Sequence, residues 1–418
     1  MGIEQKQFGR RPRNIRSQNR KLIIDLYRQY DELSVSDISN KIKLSRTTVM
    51  NINQELLAER IIIASGKGES TGEGGKKPRI YKFFAEKQYI ITFYIKHEVV
   101  LFVLYNLKYQ SIIEDSLPIL KNSRLQDVIR KMQAIIRRNI FNNSDFAEVD
   151  LLACIVGVHG NMDLNTGICK QSTYFSSWGT DNNLFRKLTE KFKIDCPIYV
   201  DHWIRLRTYG ESRLGLVGLH DSIVLIDAGW HGVVSGIMLK GKLYTGKHFL
   251  SGEIGHFRIN PEDTEPCLCG SHGCFEQQVS LERLFQNILK NLVKFPESIL
   301  ADKDIELDLQ RIFYAADMGD KFVQCMLDDV IYWFSLMISY LILFFDPEII
   351  YFEGDFTMKC KYFDTGLKKK IKELALPRLK RKNVLQLVPK GADSVLIGAA
   401  IFAFDRYFQL DSGETELG

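Results

Sequence analysis

Three stretches with apolar residues at helical spacing precede residue 61. Over residues 15–30, Leu22, Ile23, Leu26 and Tyr30 recur at the interval that keeps one helix face apolar. Ser36 can cap a second helix reaching about Ile42, with Ile38 and Ile42 facing inward. Ser45 can cap a third over residues 46–59; its Val49, Ile52 and Leu56 share one face, and Arg46, Thr47, Thr48, Asn51 and Asn53 fall on the others. Only Lys43 and Leu44 separate the last two helices, the spacing of a helix-turn-helix. The period then changes. A β-branched run at 60–64, a glycine-rich turn at 66–79 and a short strand at 80–83 predict a β-hairpin wing. From Tyr89 onward, strands are predicted at 89–95, 99–106, 111–117, 151–158, 198–201, 222–227 and 232–239, with a helix at 125–140. This alternation fits an α/β body with two sheet-centred lobes.

Length and composition agree. At 418 residues, 45% hydrophobic and 26% charged, the chain has room for two or three packed domains. Its start is polar and basic, unlike a signal peptide. The longest uncharged apolar run, residues 330–345, is shorter than the ~20 residues of a membrane helix and is flanked by aspartates, so it reads as a core helix. Cys154, Cys169, Cys196, Cys325 and Cys360 are scattered near apolar residues, which predicts reduced core thiols in a cytoplasmic protein that does not engage a membrane.

The net charge of +5 is unevenly spread. Residues 1–84 carry 17 basic and 9 acidic side chains, a net of +8; the remainder carries 39 and 42, a net of −3. A basic module at 1–84 joined to a near-neutral body at 85–418 is the electrostatic footprint of a nucleic-acid reader with a second function behind it. Arg46, Thr47, Thr48 and Asn51 are candidates for groove contacts, since Arg can bridge guanine and Asn adenine. Lys76, Lys77 and Arg79 on the hairpin suit phosphates or a minor groove, and the basic arm around Arg10–Arg16 adds further phosphate contacts. A three-helix packing unit without DNA affinity has the same pattern.

The densest chemistry lies at 253–276. His256, Cys267, Cys269 and Cys274 offer one imidazole and three thiolates, a ligand set suited to tetrahedral Zn²⁺ in a closed structural site. A redox dithiol or four unrelated loop residues are the other readings; no Cys-x-x-Cys is present.

Gly-Glu-Ile-Gly-His followed by Cys-x-Cys-Gly-x-x-Gly-Cys-x-Glu resembles the zinc signature of the ROK family (repressors, open reading frames, kinases). The resemblance implies zinc on His256, Cys267, Cys269 and Cys274, and sugar hydroxyls on Glu253, His256 and Glu276. It extends to a wing-like Gly-x-Gly-x-Ser segment and to the stretches 346–354 and 391–400, and so covers essentially residues 1–410. It implies an N-terminal winged helix-turn-helix and a two-lobed actin-like, hexokinase-type body with sugar in the cleft.

The family's kinase motifs are altered. Where its first phosphate loop reads Asp-x-Gly-Gly-Thr, this chain has residues 94–98, Tyr-Ile-Lys-His-Glu. The Asn-Asp of the sugar and base positions has become His202-Trp203, and an indole cannot take a hydroxyl proton. Residues 230–236 keep two of the glycines of the second phosphate loop, and the last loop reads Glu353-Gly354-Asp355, whose carboxylates would repel a phosphate. These losses together predict no phosphoryl transfer, no ATP and no catalytic residue. His202, in the place of a sugar-binding Asn, remains a sugar-contact candidate. Glu253 and Glu276 hold a sugar or only orient the metal loop. Trp178, Trp203 and Trp230 are expected in the core.

The expectation is a sugar-gated transcriptional regulator, acting as a repressor of carbohydrate metabolism. It would bind a palindromic double-stranded operator as a homodimer or homotetramer, with a small sugar as effector. The alternatives are a sugar kinase with weak ATP-dependent activity and a ligand-independent DNA-binding protein.

Overall fold

The structure, a computed structural model, describes residues 12–68, 77–146, 148–164, 166–172, 175–214, 220–230, 232–302, 306–357, 360–374, 384–388 and 393–410. The N-terminal part is α1 (Pro12–Gln29), β1 (Glu32–Ser34), α2 (Val35–Ile42), α3 (Arg46–Ala58), β2 (Ile62–Lys67) and β3 (Arg79–Phe83). Ser34, not Ser36, caps α2. Its hydroxyl accepts the Asp37 N–H at 3.2 Å and the Asp37 carboxylate accepts the Ser34 N–H at 2.8 Å. Ser34 prevails because an acid three residues on can reciprocate, closing a capping box. Lys43 then turns the chain in the left-handed region (φ 54°). Ser45 caps α3 as expected, accepting the Thr48 N–H.

The inward stripe of α1 is Ile23, Ile24 and Tyr27; Leu22 and Tyr30 are exposed. These residues meet Val49, Ile52 and Leu56 of α3. Asn53, expected outward, is buried and donates to the Tyr27 hydroxyl at 2.7 Å. The sequence reading missed β1, which is too short to show a period; it pairs with β3 to give the sheet order β1-β3-β2.

The body begins with β4 (Tyr89–Ile95), β5 (Val99–Asn106), β6 (Ser111–Pro118), α4 (Leu125–Ile136), β7 (Leu151–Val158), the small strands β8 (Asn161–Asp163), β9 (Ile168–Gln171) and β10 (Asn182–Asn183), α5 (Leu184–Phe192) and β11 (Ile198–His202). It continues with α6 (Trp203–Leu214), β12 (Ile223–Gly229), β13 (Gly232–Leu239), β14 (Lys242–Leu243), α7 (Phe275–Val279), α8 (Leu281–Leu292), α9 (Leu309–Asp317), α10 (Lys321–Phe345), β15 (Ile349–Gly354), α11 (Lys361–Leu374), β16 (Leu385–Leu387) and α12 (Asp393–Leu410). Two five-stranded sheets result, ordered β11-β7-β4-β5-β6 and β14-β13-β12-β15-β16. Each is an antiparallel meander of three strands whose first strand is extended by two parallel ones. The two lobes therefore repeat one topology.

The helices exchange partners between the lobes. α6 follows the last strand of the first sheet but packs on β12 and β13 of the second; α12 follows the last strand of the second but packs on β4 and β7 of the first. They cross where Gly210 faces Gly398: a Cβ on Gly210 would lie 2.8 Å from the Gly398 Cα. One apolar cluster runs from Ile23, Val49 and Phe83 through Phe404 and Phe408 of α12 to Ile204 and Leu206 of α6.

The apolar run 330–345 lies in α10. Among the described residues α10 is the one helix long and apolar enough to cross a membrane, and half of its apolar window is buried. Val330, Ile331, Phe334, Met337, Ile338 and Leu341 pack into the second lobe's core. Of the scattered cysteines, Cys154, Cys169 and Cys360 are buried, Cys196 is half-buried and Cys325 is exposed, contrary to the expectation of a core thiol.

Candidate functional site

Between β14 and α7 the chain forms a short 3₁₀ turn, Ile254–His256, and then a loop pinned by two isolated bridges, Arg258 to Cys274 and Pro266 to His272. Gly273 is required there: its φ is +70° and a Cβ would sit 2.1 Å from the Asn260 carbonyl oxygen. The loop brings His256, Cys267, Cys269 and Cys274 together with their donor atoms within 4.8 Å of one another. The Cys267 Sγ to His256 Nδ1 and Cys269 Sγ to Cys274 Sγ separations are both 3.6 Å. Metal bonds of ~2.3 Å to sulfur and ~2.0 Å to nitrogen put the corners of a tetrahedron about 3.5–3.8 Å apart. These two edges match a tetrahedral ion, the remaining donor separations stay within 4.8 Å, and Cys267 and Cys274 are shielded from solvent.

Glu276, in the first turn of α7, reaches the same cluster. Its Oε1 accepts from Cys267 Sγ at 3.0 Å and lies 3.3 Å from His256 Nδ1. It occupies a notch between Gly232 and Gly255, where a Cβ on either would come within 2.9 Å of its Oε2. Glu253 is half-buried just before the 3₁₀ turn. Burial raises its carboxyl above the usual range, with the nearby His256 and Arg205 pulling it back.

His202 ends β11 and is buried. Its Nδ1 accepts the Ile204 N–H at 3.3 Å, opening α6. Burial, with the charge on Arg205, depresses its ring to about 3, so it is neutral at physiological pH. Trp203 stacks on Tyr94 at 5.9 Å between ring centroids and packs on His159 at 5.1 Å; the Tyr94 hydroxyl hydrogen-bonds His159 Nε2 at 3.0 Å. All three are buried. Side chains thus close the space beside residues 94–98 that a glycine loop would leave open.

The second lobe shows the same filling by internal partners. The Trp230 backbone N–H, at the β12–β13 turn, donates to the Asp355 carboxylate at 2.8 Å. Glu353 is buried against Arg207 at 2.5 Å, and Arg207 lies 3.4 Å from Glu211. The carboxylates expected to repel a phosphate are therefore bound within the protein: Asp355 takes a backbone amide and Glu353 a guanidinium. Trp178 and Trp203 are buried as expected, but Trp230 is 47% exposed, edge-on to Phe285.

Sequence reading missed Arg205, Asp201 and Arg207. Arg205 pairs with Asp201 at 2.8 Å and donates to the Phe249 carbonyl at 2.9 Å, tying α6 to the segment that leads to Glu253. The i,i+4 spacing of Asp201 with Arg205, and of Arg207 with Glu211, was the available signal.

On α3, Arg46, Thr47 and Asn51 are exposed. Thr48 is half-exposed and its hydroxyl contacts Ser45 Oγ at 2.8 Å. Lys77, just before β3, and Arg79, its first residue, are exposed, and Lys76 lies outside the described residues.

Known proteins match this architecture. A xylose repressor from Caldicellulosiruptor bescii is 24% identical over 335 residues, 79% of this chain and 82% of its own length. A glucokinase from Halalkalibacterium halodurans is 28% identical over 271 residues, 64% of this chain and 81% of its own. A crystal structure of a ROK family transcriptional regulator, a homolog of E. coli MLC protein, superposes with a TM-score of 0.77 at 21% identity. It covers 95% of this chain and 99% of that one. The body is accordingly the actin-like, hexokinase-type fold of such proteins. The ROK family model matches residues 111–406, well over half of the chain, and the chain belongs to that family.

Proposed function

We propose that this protein is a DNA-binding transcriptional regulator, a repressor of carbohydrate metabolism, whose cleft senses a sugar and has no kinase activity. The observation that carries the reading is the double loss of nucleotide space. Tyr94, His159 and Trp203 stack where the first phosphate loop would lie, and Asp355 occupies the Trp230 amide in the second lobe. Phosphoryl transfer depends on backbone donors and a base held around the phosphates, and neither arrangement leaves them free. Residues 1–84 are the DNA-binding domain, a winged helix-turn-helix, and residues 85–418 the effector and oligomerisation body. α3 enters the major groove with Arg46, Thr47, Thr48 and Asn51, while Lys76, Lys77 and Arg79 hold phosphate or the minor groove. Glu253, His256, Glu276 and His202 receive the sugar, and no residue is catalytic. His256, Cys267, Cys269 and Cys274 hold a structural Zn²⁺, which supplies rigidity to the loop carrying Glu253 and Glu276.

The working form is a cytoplasmic homodimer or homotetramer on a palindromic operator. Sugar acts by favouring one lobe arrangement, which requires different affinity for the two arrangements. Full-length protein is used to select duplexes from a random pool, and binding is followed by fluorescence anisotropy at fixed salt with D-xylose, D-glucose or N-acetylglucosamine added. A selected palindrome whose affinity shifts with one sugar supports the proposal; no sequence preference at low salt refutes it. The similarity to glucokinases keeps one other reading in play, and it is tested with Mg-ATP and the same sugars. Sugar-dependent ADP release that disappears in Glu253→Gln would establish a kinase instead.

A further inference from the structure

Asp405 sits near the C-terminal end of α12, is 5% exposed, and divides its two oxygens between the two parts of the molecule. Oδ1 faces the N-terminal part, where Lys21 Nζ of α1 lies 3.1 Å away. Oδ2 faces the body, accepting the Tyr209 hydroxyl of α6 at 2.6 Å with Arg213 Nε at 3.5 Å. Arg20, the residue before Lys21, forms a two-pronged pair with Glu59 at the end of α3, at 2.6 and 2.8 Å. Asp25 and Arg28 complete the polar seam, with the Arg28 guanidinium 4.3 Å from the Tyr109 ring centre and 5.3 Å from that of Phe404.

The other end of α6 is the candidate cleft: His202 precedes it, and its Arg205 holds Asp201 and the Phe249 carbonyl. α6 rides on the second sheet and α12 on the first, so any change in lobe angle slides one past the other at the glycine crossing. Tyr209 and Arg213 move with α6, whereas Asp405 moves with α12.

We propose that Asp405 is the positioning residue that couples the cleft to the reading helix, in the order Arg205 of α6, Tyr209 and Arg213, Asp405, Lys21 and Arg20 of α1, then Glu59 of α3. The proposal deepens the regulatory reading above and rests on it for its purpose, though its physical content does not need DNA. The carboxylate is shared by three donors, and withdrawal of Tyr209 and Arg213 would leave it drawn fully to Lys21. Coupling of this kind must be reciprocal between its two ends.

The test uses full-length Tyr209→Phe, Asp405→Asn and Lys21→Met, with amide hydrogen exchange read segment by segment. In Tyr209→Phe, a change confined to α6, the amides of residues 15–29 should exchange about tenfold faster. In Lys21→Met, residues 209–214 should loosen in turn, and in the double variant the effects should fall short of additive. Loosening of α6 and α12 with α1 unchanged would mean that the carboxylate is structural only, and would overturn the proposal. Asp405→Asn decides the matter if Tyr209→Phe folds poorly, because the amide keeps the shape and removes the charge. On a duplex selected by the wild-type protein, Tyr209→Phe should shift affinity at least threefold at unchanged fold. Failure to select any duplex would strike the regulatory reading while leaving the exchange result intact.

Discussion

Replacing Gly398 with alanine tests the crossing of α6 and α12 directly, with Gly366→Ala as its partner experiment. Both glycines lie inside helices, α12 and α11, where alanine is favoured over glycine by about 1 kcal/mol on helix propensity alone. Their surroundings differ. A Cβ at Gly366 meets Cδ1 of Ile331 at 2.8 Å, the movable end of a flexible side chain. A Cβ at Gly398 lies 2.2 Å from the Leu206 carbonyl oxygen and 3.2 Å from the Gly210 Cα, both backbone atoms of the opposing helix. Reaching ordinary contact requires the helices to part by roughly 1 Å, and because the clashing atoms are backbone the cost falls in the upper part of the usual overpacking range, about 2–3 kcal/mol. Set against the propensity gain, Gly398→Ala should lose on the order of 1–2 kcal/mol while Gly366→Ala is neutral or gains up to about 1 kcal/mol. At about 2–4 °C per kcal/mol for a domain-sized unit, Tm should fall by roughly 2–8 °C in the first and hold or rise in the second. Differential scanning calorimetry of both full-length variants in one buffer gives the answer. If Gly398→Ala melts at or above the wild type, the close approach inferred at the crossing is wrong.

Other perturbations have equally definite outcomes. Arg207→Met removes the guanidinium that faces buried Glu353 and Glu211 and should cost about 3–5 kcal/mol in denaturant unfolding, partly recovered by adding Glu353→Gln. On the proposed zinc assignment, Cys274→Ser removes one of four ligands: wild-type protein should carry about one zinc per chain by mass spectrometry, the variant well below one, and limited proteolysis should open residues 257–273. His202 is depressed to about 3 in the fold, against ~6.5 in the unfolded chain. Its contribution is therefore fully present above pH ~6.5 and is lost towards pH 3, because the unfolded state takes up the proton that the fold refuses. Melting from pH 7.5 to 5 should show a stability loss of at most about 1.4 kcal/mol per pH unit from this group, absent in His202→Asn.

Much of this molecule was legible in its residues, and the exceptions have physical reasons. α3, its Ser45 cap and the strands β4, β5, β7 and β13 fell where periodicity put them, because each has one uniformly buried face or is buried throughout. The His and Cys positions that share the cluster were readable as a group because they fall close together in the chain, while the bridges that fold the loop around them were not. The start of α2 was misjudged because two serines compete for the cap and only Asp37 decides between them. α1 was rotated relative to its expected stripe because Tyr27 and Asn53 satisfy each other inside, a pairing that no period shows. Glu353 and Asp355 read as repellent in isolation; their partners, Arg207 of α6 and the Trp230 amide of the β12–β13 turn, come from distant parts of the chain. Trp230 was expected inside by residue type, yet it lies on the turn between two strands, where the chain is at the surface.

The exchange of α6 and α12 has a consequence for how the chain can be cut. Each sheet is roofed by a helix that arrives from the opposite lobe, so a fragment ending after β11 would leave one face of β4 and β7 bare. A fragment beginning at β12 would lack the cover for β12 and β13. Neither half should be soluble by itself, whereas the two pieces co-expressed should find each other and reconstitute the molecule.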